Sequence, residues 1–226
     1  ITKMSKYHFV TCESSLNNVV NMTVNRENVF LIGNPGLHDI LMFEPMNKEL
    51  FFKTLKVTER KKMILVVNHV ETLLTKEQNA NNFNILCDSL ISLEDFNTIN
   101  IIFIHSNSDN FNDCIFDTIT EYENKYENVY SFKSLERYLY LNIIYFCECF
   151  IGNSSSGIYE VPLLNKVTLN IGDRQSGRDC GNSVIHLKYE KQLIMSYLSN
   201  IPKIESLTYP YIITKPSEIL SILNII

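Results

Sequence analysis

The sequence predicts an α/β fold in which a parallel sheet is covered by helices on both faces. Short apolar runs rich in β-branched side chains alternate along the chain with longer segments whose apolar residues keep helical spacing. The runs are nearly continuous rather than alternating with polar residues, which is typical of strands buried on both faces. Strands that alternate with helices in this way favour a parallel sheet.

The predicted elements follow one another from residue 28 to the end of the chain. Strands are predicted at Met63–Val67, Ile99–Ile104, Val129–Phe132, Cys149–Ile151 and Val167–Ile171, with a further short strand within residues 28–36. Helices are predicted at 83–93, 111–122, 135–145 and 158–161, and after Pro216. Ligands of parallel sheets gather beyond the carboxyl ends of the strands. We therefore expect one rim to hold Asn68-His69, 105–107, Lys133-Ser134, 152–154 and 172–174.

Composition excludes several classes of protein. The chain has 226 residues, of which 45% are hydrophobic, so it can bury a full core. Its net charge of −5 provides no basic surface for nucleic acid. Because no apolar run is long enough to span a membrane and no signal-peptide pattern opens the chain, we expect a soluble, cytoplasmic protein without a membrane partner.

Cysteine spacing argues against a structural zinc site. The six cysteines include no CxxC pair, and no histidine lies at ligand spacing from them. Cys147 and Cys149 are most simply buried reduced thiols, and a disulfide is the weaker alternative. We expect neither a metal nor a cofactor.

Residues 152–157, here called the serine turn, contain the strongest chemical signal. They are Gly152, Asn153, Ser154, Ser155, Ser156 and Gly157, between a predicted strand and a predicted helix. Unpaired N–H groups at a helix start and serine hydroxyls suit a phosphate, and the glycines would let the backbone approach it. Glu160 would repel a bare phosphate but can accept protons from ribose hydroxyls. The alternative is an ordinary helix N-cap, yet three serines exceed what a cap requires.

A second polar loop follows the next predicted strand. Gly172 ends that strand, and Arg174 and Arg178 come in the six residues after it. Two guanidinium groups at the same end of the sheet as the serine turn favour anion recognition, although solvated loop charges are the alternative. Chemistry alone therefore indicates a site for a nucleoside diphosphate.

Two motifs give this site a family resemblance. GNSSSGIYE (152–160) followed by NIGDRQSGR (170–178) resembles the signature of the hydrolysing UDP-N-acetylglucosamine 2-epimerases. The resemblance implies a Rossmann-like domain that is the C-terminal half of a glycosyltransferase-B-like two-domain fold. The opening ITKMSKYHF resembles a segment at the end of that family's N-terminal domain. We therefore expect a fragment, with 1–40 as the edge of a missing domain plus crossover and 41–226 as the UDP-binding domain with a C-terminal helix.

The resemblance also implies roles for individual residues. It implies catalytic roles for His69, near the diphosphate, and for Asn107, on the sugar side. The alternative for His69 is a histidine at the mouth of a loop that only forms structural hydrogen bonds. The alternative for Asn107 is a polar turn after a strand. Glu160 is expected to bind the ribose, and the start of the helix at 135–145 to cradle the uracil, although tyrosines at helical spacing more often serve packing. The expected UDP-binding residues are Leu135, Arg137, Tyr140, Gly152, Asn153, Ser154, Ser155, Ser156, Gly157, Glu160, Arg174 and Arg178.

The implied reaction is hydrolysis of UDP-N-acetylglucosamine to N-acetylmannosamine and UDP. UDP leaves by anti elimination, and water then adds to the glycal. Because the family's proton-abstracting carboxylates lie on the other domain, we expect these residues to bind UDP without turnover, and the full-length protein to be a homo-oligomer.

The residues are also compatible with three other functions. The chain departs from the family pattern at Lys6, Val70, Ser106 and Phe111. The alternatives are a 2-epimerase acting on UDP-diacetylbacillosamine, a UDP-sugar glycosyltransferase and a non-catalytic module that binds a UDP-sugar.

Overall fold

The computed structural model describes residues 1–22, 25–105 and 111–223. They form two compact units, one of residues 1–43 with 208–226 and one of residues 44–207. The sequence-based boundary near residue 40 placed the C-terminal helix with the larger domain, whereas the contacts group that segment with the first unit. The separate expectation that residues 1–40 are the edge of a missing domain stays a prediction.

The described residues form eight strands and nine α-helices. In chain order these are β1 (His8–Val10), α1 (Glu13–Asn21), β2 (Val29–Leu31), α2 (His38–Leu41), α3 (Lys48–Leu55), β3 (Lys62–Val67), α4 (Lys76–Ile91), β4 (Ile99–Ile104), α5 (Asn112–Lys125), β5 (Val129–Phe132), α6 (Arg137–Phe146), β6 (Cys149–Gly152), α7 (Ser156–Tyr159), β7 (Val167–Ile171), β8 (Val184–Leu187), α8 (Lys191–Ser199) and α9 (Pro216–Leu223).

The smaller unit is built around a pair of short parallel strands. β1 and β2 pair with His8 opposite Val29. Val10, Leu16 and Val29 form a small buried cluster in which α1 covers the two strands. The unit also contains α2 and α9.

The larger unit contains a parallel six-stranded sheet of order β5-β4-β3-β6-β7-β8. The chain moves outward from β3 to β4 and β5 and then returns, so that β6 pairs with the free side of β3. In the shared register Val66 lies opposite Phe103 on one side and Ile151 on the other. The order of strands therefore reverses between β3 and β6, and such a switch point opens a crevice at the carboxyl ends of the two strands.

Helices cover both faces of this sheet, because successive side chains of a buried strand point to opposite sides. On one face the buried side chains of α4, α5 and α8, such as Phe83, Ile115 and Ile194, pack with alternate residues of β3, β4, β6 and β7. On the other face Phe51 of α3 packs against Phe146 of α6, with ring centroids 4.7 Å apart. The predicted α/β class with a parallel sheet is confirmed.

Strand prediction was accurate in the centre of the sheet and at the β5 edge, and incomplete at the β8 edge. β4, β5 and β7 have the predicted bounds, and β3 and β6 are each one residue longer. β8 was not predicted. Its side chains alternate between buried and exposed and include His186, so the segment lacks the continuous apolar pattern of a central strand.

Candidate functional site

The serine turn begins with a glycine that the sheet itself requires. Gly152 ends β6 with a φ of +139°, and a Cβ atom there would lie 2.1 Å from the carbonyl oxygen of Val67 in β3. Gly157 is needed for packing, since a Cβ would lie 2.7 Å from the Thr168 side chain. The expected reason for these glycines was close approach to a ligand. The structure adds a second reason, namely close approach of the backbone to neighbouring protein atoms.

Asn153 joins the loops that follow three strands of the sheet. Its fully buried side chain accepts a hydrogen bond from the His69 N–H at 2.7 Å and donates one to the His69 carbonyl at 2.8 Å. Its own carbonyl accepts hydrogen bonds from Gln175 Nε2 at 2.7 Å and from Arg174 Nη1 at 3.3 Å. The loops after β3, β6 and β7 are thereby held together at the switch point.

The serine turn presents backbone donors at this point. Within the described residues, the N–H groups of Ser154 and Ser155 have no hydrogen-bond partner, whereas the Asn153 N–H donates to the Val67 carbonyl. α7 then begins at Ser156 and lasts one turn, followed by a 3-10 turn at Val161–Leu164. Two free N–H groups and serine hydroxyls at the carboxyl end of β6 provide an arrangement that can bind an anion.

Glu160 lies directly beside these donors, in contact with two of the predicted residues. Its Oε1 accepts a hydrogen bond from Arg137 Nη1, and its Oε2 accepts one from the Ser156 hydroxyl. The Tyr140 hydroxyl lies 2.6 Å from Ser156 Oγ. The structure therefore connects the start of α6 with the serine turn through side chains 23 residues apart in the sequence. Leu135 is partly buried, two residues before α6 begins.

Both predicted arginines contact the serine-turn region. Arg174 donates to the Asn153 carbonyl, as described above, and Arg178 Nη1 lies 3.1 Å from the Tyr159 hydroxyl. The Arg178 guanidinium also lies over the Tyr159 ring, 5.5 Å from its centroid. Tyr159 is the last residue of α7, so the loop after β7 places two cationic groups next to the predicted phosphate position.

Sequence reasoning missed two residues of this rim, Gln175 and Glu71. Gln175 lies within the NIGDRQSGR motif but was given no role there; it is 1% exposed, and its side chain donates to the Asn153 carbonyl. The Glu71 carboxylate lies against Gly172, where an added Cβ would be 2.4 Å from its Oε1. Burial raises the pKa of Glu71; the Asp173 N–H lowers it, the Asp173 carboxylate raises it and the Arg174 charge lowers it.

The remaining predicted residues are His69 and Asn107. His69 is partly buried at the switch point, with its backbone held by Asn153. Asn107 lies outside the described residues. Just before it, His105 Nε2 lies 3.1 Å from the Ser131 hydroxyl, and burial is the main cause that lowers the His105 pKa.

A cavity of about 670 Å³ lies beyond β7 and β8, next to this site. It is lined by Arg178 and Lys188 but also by Asp173 and Glu190, so its charges favour neither an anion nor a cation. The serine turn and Glu160 are not part of its lining. The donors at the switch point therefore locate the candidate site better than this cavity does.

Two kinds of feature are absent from the described ranges. Among the residues that the structure describes, no three histidine, cysteine, aspartate or glutamate side chains are grouped so that they could hold a metal ion. In the same part of the chain no helix has the length and apolar character needed to cross a bilayer. All six cysteines are free, and Cys147 and Cys149 are buried.

Comparison with known proteins identifies the family. A family profile described as UDP-N-acetylglucosamine 2-epimerase matches residues 1–218. The chain is 38% identical over 200 residues to the Escherichia coli "Polysialic acid biosynthesis protein P7", covering 86% of this chain and 49% of that protein. It is 29% identical over 208 residues to a Legionella pneumophila protein named UDP-N,N'-diacetylbacillosamine 2-epimerase (hydrolyzing), covering 91% of this chain and 54% of that one.

A solved structure confirms the fold. The Neisseria meningitidis UDP-GlcNAc 2-epimerase bound to UDP-GlcNAc is similar with a TM-score of 0.69 at 17% identity, over 99% of this chain and 62% of that one. The fold is therefore the predicted Rossmann-like part of a glycosyltransferase-B-like protein. The chain spans about half the length of the curated relatives it matches. With a family profile that matches almost its whole length, the chain belongs to the UDP-N-acetylglucosamine 2-epimerase family.

Proposed function

We propose that this chain is the UDP-binding part of a hydrolysing UDP-N-acetylglucosamine 2-epimerase. The observation that carries the proposal is the pair of free N–H groups on Ser154 and Ser155 beside the Glu160 carboxylate. The spacing suits a diphosphate followed by a ribose, with anion donors first and a hydroxyl acceptor one turn later. Arg174 and Arg178 add positive charge on the diphosphate side.

These residues would act on the leaving group of the reaction. When UDP departs by anti elimination, negative charge develops on its β-phosphate, and fixed donors stabilise that charge. The serine turn, the arginines and the His69 imidazole would together contribute several kcal/mol, roughly the value of a few preorganised donors in a closed site. Asn153 contributes indirectly, because it holds the His69 backbone and the arginine loop in place.

The proton at C2 of the sugar needs a base that we do not assign to this chain. We propose that carboxylates outside these 226 residues remove it. On this proposal the 226-residue chain binds UDP but releases no N-acetylmannosamine. Release of that product by the isolated chain would contradict the proposal.

A second substrate is favoured by one specific observation. The Legionella pneumophila relative is named as acting on UDP-N,N'-diacetylbacillosamine. The two substrates share the UDP that the described rim would bind and differ in the sugar. An assay of the full-length protein with each UDP-sugar would distinguish them by the free sugar released.

Titration calorimetry of the chain with UDP tests the proposal directly. We expect Glu160→Ala to weaken UDP binding by at least about tenfold, because the ribose loses a charged acceptor. Glu148→Ala is the matched control, since Glu148 is exposed and precedes β6 at the opposite end of the sheet, so its loss should leave the dissociation constant unchanged. No heat with UDP, or an unchanged dissociation constant for Glu160→Ala, would refute the proposal.

We also propose that the full-length protein is a cytoplasmic homo-oligomer. Cell fractionation and analytical ultracentrifugation of that protein would test the two parts separately.

A further inference from the structure

We infer that Tyr140 is a positioning residue for ribose recognition, acting on the Glu160 carboxylate through the Ser156 hydroxyl. The inference rests on the proposed function and deepens it. From the sequence, Tyr140 and Ser156 were both expected among the UDP-binding residues. In the structure the Tyr140 hydroxyl contacts the Ser156 hydroxyl, and the Ser156 hydroxyl donates to Glu160.

The direction of the hydrogen bonds follows from counting protons. A serine hydroxyl has one proton and two acceptor positions. The Ser156 proton is donated to Glu160 Oε2. The 2.6 Å contact with Tyr140 therefore has the tyrosine as donor and Ser156 Oγ as acceptor. A chain of two hydrogen bonds thus runs from Tyr140 through Ser156 to the carboxylate, and successive bonds of this kind polarise one another.

The carboxylate keeps the acceptor positions that a ribose needs. An ionised carboxylate has about four lone-pair positions on its two oxygens. Within the described residues, its side-chain partners are Ser156 at Oε2 and Arg137 at Oε1. About two positions then remain for new donors, one on each oxygen, and two vicinal ribose hydroxyls supply two donors. Ser156 and Arg137 hold the carboxylate in one orientation, so those positions have a defined direction.

Tyr140 is suited to this role because it remains protonated. Burial is the main cause that raises the pKa of its hydroxyl; the hydrogen bond with Ser156 lowers it in part, and the nearby Glu160 charge raises it. The hydroxyl therefore stays a donor at neutral pH. Without it, the Ser156 hydroxyl would keep its proton for Glu160 but lose the contact that holds it in that rotamer.

The test compares UDP with 2′,3′-dideoxy-UDP, which lacks both ribose hydroxyls, by titration calorimetry of the 226-residue chain. The wild-type chain should bind UDP more tightly. In Tyr140→Phe we expect UDP affinity to fall by about two- to tenfold, the range of one net hydrogen bond, with a much smaller loss for the dideoxy compound. The ratio of the UDP affinity to the 2′,3′-dideoxy-UDP affinity therefore falls. A role in packing against the base would weaken both ligands equally and leave that ratio unchanged.

A double-mutant cycle tests whether the effect passes through Ser156. Ser156→Ala should lower the same ratio, and adding Tyr140→Phe to it should lower the ratio no further. Tyr145→Phe is the control, because Tyr145 is an exposed tyrosine of the same helix. A Tyr140→Phe variant that keeps the wild-type ratio, or effects that add in the double variant, would overturn the positioning role. If wild type binds no UDP, the proposed function fails, and this inference fails with it.

Discussion

Asn153 and His69, 84 residues apart in the sequence, exchange two hydrogen bonds, one in each direction between the amide side chain and the peptide backbone. This pairing joins the loops after β3 and β6 at the point where the strand order reverses. Only a group with both a donor and an acceptor can make it, which explains an asparagine at a fully buried position.

We predict that Asn153→Asp destabilises the fold by about 2–4 kcal/mol. The carboxylate cannot donate to the His69 carbonyl, and it buries either a charge or a mispaired group. Urea denaturation at neutral pH measures the change. Asn81→Asp on the exposed side of α4 is the matched control and should change the free energy of unfolding by less than about 0.5 kcal/mol. Equal effects of the two variants would show that the Asn153 pairing contributes little.

Two glycines allow the steric cost of an added Cβ atom to be distinguished from the conformational cost of a positive φ. Gly152 and Gly177 both have positive φ, but only Gly152 has a backbone oxygen in the place of a Cβ. We predict a loss of at least about 3 kcal/mol for Gly152→Ala, because strand β6 must move away from Val67. Gly177→Ala, with nothing within 4 Å, should cost about 1 kcal/mol from its φ alone. Thermal and urea unfolding of both variants give the comparison, and similar losses would contradict the steric argument.

Glu71 should make the stability of the protein depend on pH, and the direction of its raised pKa gives the sign. Because burial raises its pKa in the folded protein, the folded state binds this proton more tightly than the unfolded state does. The stability that this proton contributes is fully present at pH values below the pKa of Glu71 in the unfolded state. It is lost as the pH rises through the pKa of Glu71 in the folded state. We expect Glu71→Gln to gain stability relative to wild type as the pH rises from about 4 to about 7.

Urea midpoints at several pH values measure the Glu71 effect. Glu77→Gln in the first turn of α4 serves as the control, since Glu77 is exposed and should show no such rise. A stability difference between Glu71→Gln and wild type that stays flat, or falls with pH, would exclude the raised pKa.

Arg178 should contribute to UDP binding in a salt-dependent way. Its guanidinium is held by Tyr159 near the serine turn but is exposed, so solvent and salt screen its charge. We predict that Arg178→Ala weakens UDP binding by about three- to tenfold at low ionic strength, with a smaller loss at 0.5 M salt, where the Debye length is only about 4 Å. Lys203→Ala, an exposed cation at the amino end of the sheet, should leave binding unchanged. An identical dissociation constant for Arg178→Ala would remove this residue from the site.

The sequence by itself determined the central strands, because nearly continuous apolar runs such as Ile99–Ile104 are short and rich in β-branched side chains, which favours a buried strand. It also identified the serine turn and its neighbouring arginines, since their chemistry is visible in residue type and spacing. It did not reveal β8, whose edge position tolerates polar residues. Only the tertiary structure decided that β6 pairs with β3, that the Asn153 side chain bonds to the backbone of His69, that Arg137 contacts Glu160 and that Tyr140 contacts Ser156. These are contacts between segments distant in the chain, and their energies depend on directions and burial that no local pattern of residues encodes.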